Sequence, residues 1–275
     1  RRLSQEVNQI EVQNLSEALE VPATNDEISR LTISFNKMLA RLDEAFTAQK
    51  QFSANAAHEL RTPLAVIQTN LEVFARRETP ALKDYQEIFS MLQEQTGRLS
   101  HLAEILLDMT GVQTVERSER ISLAALTDEV FCDLASVAEQ KEVELIQQEG
   151  DCIITGSYLL LYRAVYNLVE NAIKYNHSGG KVTVNIHPSE EITDTSTSDN
   201  YAFLEVSDTG IGIPPEYQEK IFTPFFRVDK SRSRAMGGAG LGLALVSEIV
   251  RQHNGQVKVL ESSKKGSVIA IMLPV

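Results

Sequence analysis

The sequence predicts a multidomain chain, first α and then α+β: a helical hairpin forming a dimeric four-helix bundle, followed by an α/β sandwich. Three observations predict it. Through about the first 115 residues, apolar side chains recur at three- and four-residue spacing and Gly and Pro are rare. From about residue 120 short strand-like runs alternate with helical ones. Four stretches rich in Asn, Gly or Phe then follow one another between residues 167 and 246, all inside the second texture.

Taken in order, Leu3, Val7 and Ile10 open the apolar stripe, and Ile28, Leu31, Phe35, Met38 and Leu42 continue it. NDEI at 25–28 reads as a helix start, with Asn25 or Asp26 as cap and acids in the first turn. Leu64, Ile67, Leu71 and Phe74 precede RRETP at 76–80, a turn between two long helices. Ile88, Met91, Leu92, Leu99, Leu102, Leu106 and Met109 carry the stripe onward. One such hairpin buries little alone, so two copies are expected to form a four-helix bundle. The other reading packs the hairpin on its own C-terminal domain. Beyond residue 120, VELIQQ, DCIIT, KVTVNIH, YAFLEVSD, GQVKVLES and SVIAIML read as strands. The runs at 123–140, 157–175 and 241–253 read as helices packed on one face of a mixed sheet, and 188–200 reads as a mobile polar loop.

With 275 residues, 43% of them apolar, the chain has room for about two domains. A net charge of -12 argues against a nucleic-acid partner, which would want a basic face. Cys132 and Cys152 sit in apolar runs and are expected as buried free thiols in a reducing compartment. No apolar run approaches the roughly 20 residues of a membrane helix, and no secretory signal is present. The chain starts at Arg1 rather than Met and reads as a piece of something longer. Arg1 and Arg2 suit the cytoplasmic edge of a membrane span.

FSANAAHELRTP at 52–63 places His58 beside Glu59 in a run of small residues. A zinc protease would need a second His four residues on, and that position is Thr62. His58 therefore reads as exposed and meeting a reactant from elsewhere. NLVENAIKYN at 167–176 puts Asn167 and Asn171 on one helix face with Lys174 a turn beyond; an amide oxygen there suits Mg²⁺, and a plain surface pair is the alternative. SDTGIGIP at 207–214 ends a strand in a carboxylate able to accept from an exocyclic amine, with glycines that let a flat ring approach. A simple surface turn would read the same. FTPFFRVDKSRSR at 222–234 is basic and aromatic, and Arg227, Lys230, Arg232 and Arg234 suit phosphate, or a solvated loop. GGAGLGLALV at 237–246 runs glycines into a helix, an anion site in form, yet fits neither the P-loop nor the Rossmann fingerprint. Together they describe a Mg-nucleotide held between a helix, an aspartate loop, a basic lid and a helix terminus.

At this point the chain resembles the sensor histidine kinases of two-component signalling. HELRTP is similar to their H-box, and NLVENAIKYN, DTGIGIP, FTPFFR and GGAGLGL to their N, G1, F and G2 boxes. Residues 1–46, with NDEISRLTISFNKML, resemble the end of a HAMP relay. The resemblance implies a phosphotransfer hairpin over 47–115 and a Bergerat-type ATP-binding domain over 116–275. It implies ATP and Mg²⁺ as cofactors, and a homodimer whose partner is a response regulator receiver domain. It implies the cytoplasmic portion of a bacterial membrane protein, attached through a segment that precedes this chain. By the same resemblance His58 is the phosphoacceptor, Glu59 its proton-handling neighbour and Asn171 the Mg²⁺ ligand. Asn167, Lys174 and Tyr175 flank the nucleotide, and Asp208 binds the adenine amine. Gly210, Gly212, Gly238, Gly240, Leu241 and Gly242 shape the pocket and lid, and Arg227 faces the phosphates. Two departures stand out: Ser157 where many relatives have an acid, expected to act as a helix cap, and Ala239 where a hydroxyl is common.

The related ATPases place a Glu four residues before the Mg-binding Asn. Here that residue is Asn167, which cannot take a proton, so phosphoryl transfer to His58 is expected over hydrolysis. Glu170 lies about 100° around the helix from Asn171. Thr62, one turn after His58, is expected to position water for phosphatase action on the regulator. Histidines 101, 177, 187 and 253 are expected at the surface. The competing classes are a non-catalytic helical scaffold and an ATPase of the gyrase and chaperone type.

Overall fold

The computed structural model describes residues 19, 21, 27–111, 116–189, 200–228 and 239–275. The chain divides into two compact units, Arg1–Ala65 and Val66–Val275. Among the described residues no helix is long and apolar enough to cross a membrane.

Helix α1 spans Glu27–Ala75, without a break at residue 46 or at Pro63. It begins at Glu27, an acid in the first turn where it favours the helix dipole, and the capping candidates Asn25 and Asp26 lie outside the described residues. In the first unit Asn36 clasps the backbone of Leu19: its Nδ2 donates to the Leu19 carbonyl and its Oδ1 accepts the Leu19 N–H, both at 2.9 Å. Ile28, Leu31, Ile33, Met38, Leu42, Phe46 and Leu64 of this unit are exposed.

In the second unit, the last turns of α1 lead through a short turn to α2 (Leu82–Gly111). Asp84 starts this helix by accepting the Ala81 N–H at 2.8 Å and pairing with Arg77, and Phe74 meets Tyr85 edge-on at 5.0 Å. Strand β1 (Glu119–Ser122) runs into α3 (Leu123–Gln140), whose Ser122 cap accepts from Ala125 N–H. Then come β2 (Glu144–Gln147), β3 (Ile153–Gly156), α4 (Tyr158–Lys174), β4 (Lys181–Pro188) and β5 (Tyr201–Asp208). Two single turns at Pro215–Tyr217 and Lys220–Phe222 precede α5 (Gly242–Gln252), β6 (Gln256–Ser263) and β7 (Gly266–Pro274).

The main sheet has the order β2-β4-β5-β7-β6, with β2 parallel to β4 and all other pairs antiparallel. Helices α3, α4 and α5 cover one face. That face is apolar by simple alternation: Val182, Val184 and Ile186 of β4 and Ala202, Leu204 and Val206 of β5 are all buried. Each of the larger side chains contributes about 1.5–3 kcal/mol by leaving water. The opposite face is largely half-exposed and mixes polar with apolar side chains, with His187 stacked on its cross-strand neighbour Phe203 at 5.2 Å. Strand β1 escapes the sequence pattern because it has four residues, two of them charged, and pairs only with β3 in a separate two-stranded sheet.

Several expectations need correction. Cys132 is exposed rather than buried, because it falls on the outer side of α3; Cys152 is buried, and that burial, with the charge of Asp151, pushes its thiol up. His253 is buried rather than at the surface, only 6% exposed. The Ser157 side chain makes no capping bond; its backbone N–H goes instead to Nε2 of His253 at 3.1 Å. Most of the polar segment 188–200 lies outside the described residues, as do Lys230, Arg232, Arg234 and Gly238.

Candidate functional site

A cavity of about 770 Å³ opens in the second unit, within the size range of small-molecule sites. Helix α4 delivers Asn167, Asn171 and Lys174 to it at spacings of four and three residues, with Tyr175 just past the helix end. Asp208 closes the wall from the end of β5, and Gly212 from the loop beyond. Arg227 enters from the aromatic segment, while Gly240, Leu241 and Gly242 form the entry to α5. Four stretches far apart in sequence therefore face one space.

The close approaches explain why the glycines stand where they do. A Cβ on Gly242 would lie 2.6 Å from Oδ1 of Asn167, so α4 and α5 meet across a bare Cα. Gly212 has φ +72, and a Cβ there would fall 1.8 Å from the Ser263 carbonyl oxygen. Gly210 does not line the cavity; its N–H donates to Oδ1 of Asp208 at 2.7 Å and holds the carboxylate in place. Phe225 N–H donates to the Gly240 carbonyl at 2.8 Å, tying the aromatic segment to the glycines before α5.

Burial pushes the Asp208 carboxyl up, and backbone N–H groups of Gly210 and Ser267 pull against that. Such a half-desolvated acceptor gains by taking a hydrogen bond from a ligand amine. Lys174 is pushed down, first by burial; Glu170 opposes this, and the charges of Arg227, Lys141 and Arg98 reinforce it. Lys174 and Arg227, like charges that both line the cavity, favour a polyanion there. Lys141, itself pushed down by burial, hydrogen-bonds the Lys174 carbonyl and anchors the end of α4.

Sequence reasoning overlooked a second layer. Asn176 is buried; its Nδ2 donates to the Lys181 carbonyl at 2.9 Å, and its Oδ1 accepts from Oγ1 of Thr209 at 3.1 Å. Oγ1 of Thr209 in turn accepts the Lys181 N–H at 2.9 Å. This network locks the end of α4 to the Asp208 loop. The signal was present, since Asn176 and Thr209 both belong to the quoted motifs. Glu170 also lines the cavity despite its angular offset from Asn171, and so does His101 of α2.

His58 belongs to the first unit. Its side chain is exposed, Glu59 is half-buried, and Oγ1 of Thr62 donates to the His58 carbonyl at 3.1 Å. The hydroxyl thus sits one turn from the imidazole with its lone pairs still able to accept.

A helix-covered mixed sheet with glycine-bounded helices around such a cavity defines a class. Residues 156–275 match the model of the histidine kinase-, DNA gyrase B- and HSP90-like ATPase domain. Residues 48–114 match the His Kinase A phospho-acceptor domain, and residues 1–44 the HAMP domain. With these three domains in this order, the chain belongs to the sensor histidine kinase family. It is 35% identical to sensor histidine kinase RppB of Synechocystis over 84% of its length and 50% of that protein. It is 32% identical to sensor histidine kinase CusS of Escherichia coli K12 over all of its length and 55% of that protein. The chain thus spans about half the length of the curated relatives it matches. In fold it is similar to histidine kinase ThkA, solved in complex with response regulator TrrA, with TM-score 0.64, 21% identity, and coverage of 90% of this chain and 68% of that one.

Proposed function

We propose that this chain is the cytoplasmic kinase portion of a membrane-anchored sensor: it binds ATP, phosphorylates His58 and passes the phosphoryl group to an aspartate of a response regulator. The observation that carries it is the convergence of Asn167, Asn171, Lys174, Asp208 and Arg227 on one cavity, in a chain that also carries an exposed His58. The domains divide as 1–46 relay, 47–115 phosphotransfer hairpin and 116–275 ATP-binding domain. The HAMP match and the sensor relatives support the anchor.

In this reading Asp208 accepts from the adenine amine, and Lys174 and Arg227 neutralise phosphate charge. Asn171 would hold Mg²⁺, which supplies charge neutralisation between phosphates. The donor set fits: Mg²⁺ takes few protein oxygens beside phosphates and water. Among the described residues no cluster of three His, Cys, Asp or Glu side chains forms a rival site. The neutral imidazole nitrogen of His58 attacks the terminal phosphorus, the bond to the bridging oxygen breaks, and ADP leaves. Glu59 accepts from the other ring nitrogen, fixing the tautomer and stabilising the positive ring. Asn167 has an amide where a hydrolase would need a base, and its Nδ2 is engaged with the Arg163 carbonyl at 2.8 Å.

The exposed apolar residues of α1 and α2, Leu71, Val73, Leu82 and Phe89 among them, suit a face covered by a second copy, giving the homodimer. Thr62 supports a phosphatase role, its oxygen placing water against a phosphoaspartate. Incubation with γ-labelled ATP tests the kinase: acid-labile, base-stable label on the wild type and none on His58→Gln is expected. Phosphate release with no labelled protein would refute it and support hydrolysis, the second reading, which the presence of Glu170 in the cavity wall favours.

A further inference from the structure

Helix α2 belongs to the hairpin, yet it lines the cavity of the ATP-binding domain. His101 and Ile105 both face the space, and Leu102 and Ile105 are each only 5% exposed. Asp108, one turn further, forms an ion pair with Arg163 of α4. Arg98, one turn earlier, acts through its charge on Lys174 at the other end of α4. Positions 98, 101, 105 and 108 are three and four apart and share one helix face.

Helix α2 also packs against α5, so it touches both α4 and α5 beside the cavity. His101, one turn on from Arg98, shares the cavity wall with Asn171, Lys174 and Arg227, and the two cations Lys174 and Arg227 make that part of the wall suit phosphate. The cavity keeps about 770 Å³ with α2 in place, so the helix walls the space rather than filling it.

We propose that α2 supplies one wall of the nucleotide's phosphate subsite, with His101 in contact with the phosphates and the Asp108–Arg163 pair holding the helix there. The inference rests on the ATP reading of the cavity. It makes nucleotide affinity depend on the docking of a hairpin helix, because polyphosphate binding and docking stabilise each other through shared contacts. His101 is exposed, so its removal leaves the core intact.

The test is calorimetric titration of the full chain with Mg²⁺ and the non-hydrolysable analogue AMP-PNP, alongside adenosine. His101→Ala is expected to raise the AMP-PNP Kd about three- to tenfold, the weight of one hydrogen bond to an anion, and to leave the adenosine Kd unchanged. Asp108→Asn is expected to raise the AMP-PNP Kd likewise, and exchanging the charges in Asp108→Arg with Arg163→Asp to restore it. An unchanged AMP-PNP Kd in His101→Ala, or an equal loss for adenosine, would overturn the inference while leaving the ATP reading intact. Wild type that binds neither ligand would overturn both.

Discussion

His253 ties together the two helices that bear the nucleotide residues, and removing it tests that tie. The ring caps α5, with Nδ1 bonded to the Ile249 carbonyl at 2.8 Å and Nε2 accepting the Ser157 N–H at the start of α4. This fixes Nδ1 as the protonated nitrogen. Ser157 is itself buried at 2% exposure, so His253→Ala strands a buried N–H at a cost of about 1–3 kcal/mol. The vacated space next to Gly156, whose Cβ would lie 2.8 Å from the ring, adds a cavity cost, for about 2–4 kcal/mol together. Burial first, then the nearby Arg117, opposed by the Ile249 bond, hold the ring below its ordinary 6.5.

The pH dependence follows from that direction. Between the two pKa values the unfolded chain binds a proton that the folded chain refuses, so stability rises with pH. The contribution is present above about pH 6.5 and is lost as pH falls through the folded value. One proton makes this up to about 1.4 kcal/mol between pH 7.5 and 5.5. Urea unfolding at both pH values, followed by far-ultraviolet circular dichroism because the chain has no Trp, measures it. The gap between wild type and His253→Ala is expected to narrow by about 1 kcal/mol in acid. A gap that is the same at pH 7.5 and 5.5 would refute the buried neutral imidazole.

Three further outcomes are expected. Asp208→Asn loses a charge-assisted acceptor and is expected to weaken ATP binding about tenfold or more, measured by titration calorimetry; unaltered affinity would remove Asp208 from the adenine site. Gly212→Ala combines left-handed backbone with a clash on the Ser263 carbonyl and is expected to cost about 2–4 kcal/mol in urea melts, whereas a neutral change would mean the loop yields freely. In alkaline titration at 295 nm, Tyr158 is expected to stay protonated to about 12, held first by its bond to Glu129, and Tyr162 higher still, first by burial and then by Asp133. The sign is that of a raised pKa: this contribution to stability holds below about pH 10 and fades as pH climbs toward the folded value. Ionisation of all seven tyrosines together near pH 10 would contradict it.

Much of this was readable in the residues because it is local. Helices α3, α4 and α5 follow from an apolar repeat of 3.6, and β4 and β5 from a repeat of two, each set by backbone geometry within a few neighbours. The cavity residues were readable because their chemistry is written in short motifs: two amides on one helix face, a carboxylate before glycines, glycines before a helix. What needed the folded chain was every pairing between distant positions. Nothing local to Ser157 announces that its N–H belongs to an imidazole 96 residues away, nor that His253 is buried to receive it. The short charged β1 exists only because β3 is there to bond with it. His101 looked like any surface histidine on an amphipathic helix, and only the Asp108–Arg163 pair and the apolar seat of Leu102 and Ile105 turn it toward the cavity. Periodicity and turn chemistry act over one or two turns of chain, whereas burial and long-range hydrogen bonds depend on which surfaces meet, and that is settled by packing of the whole.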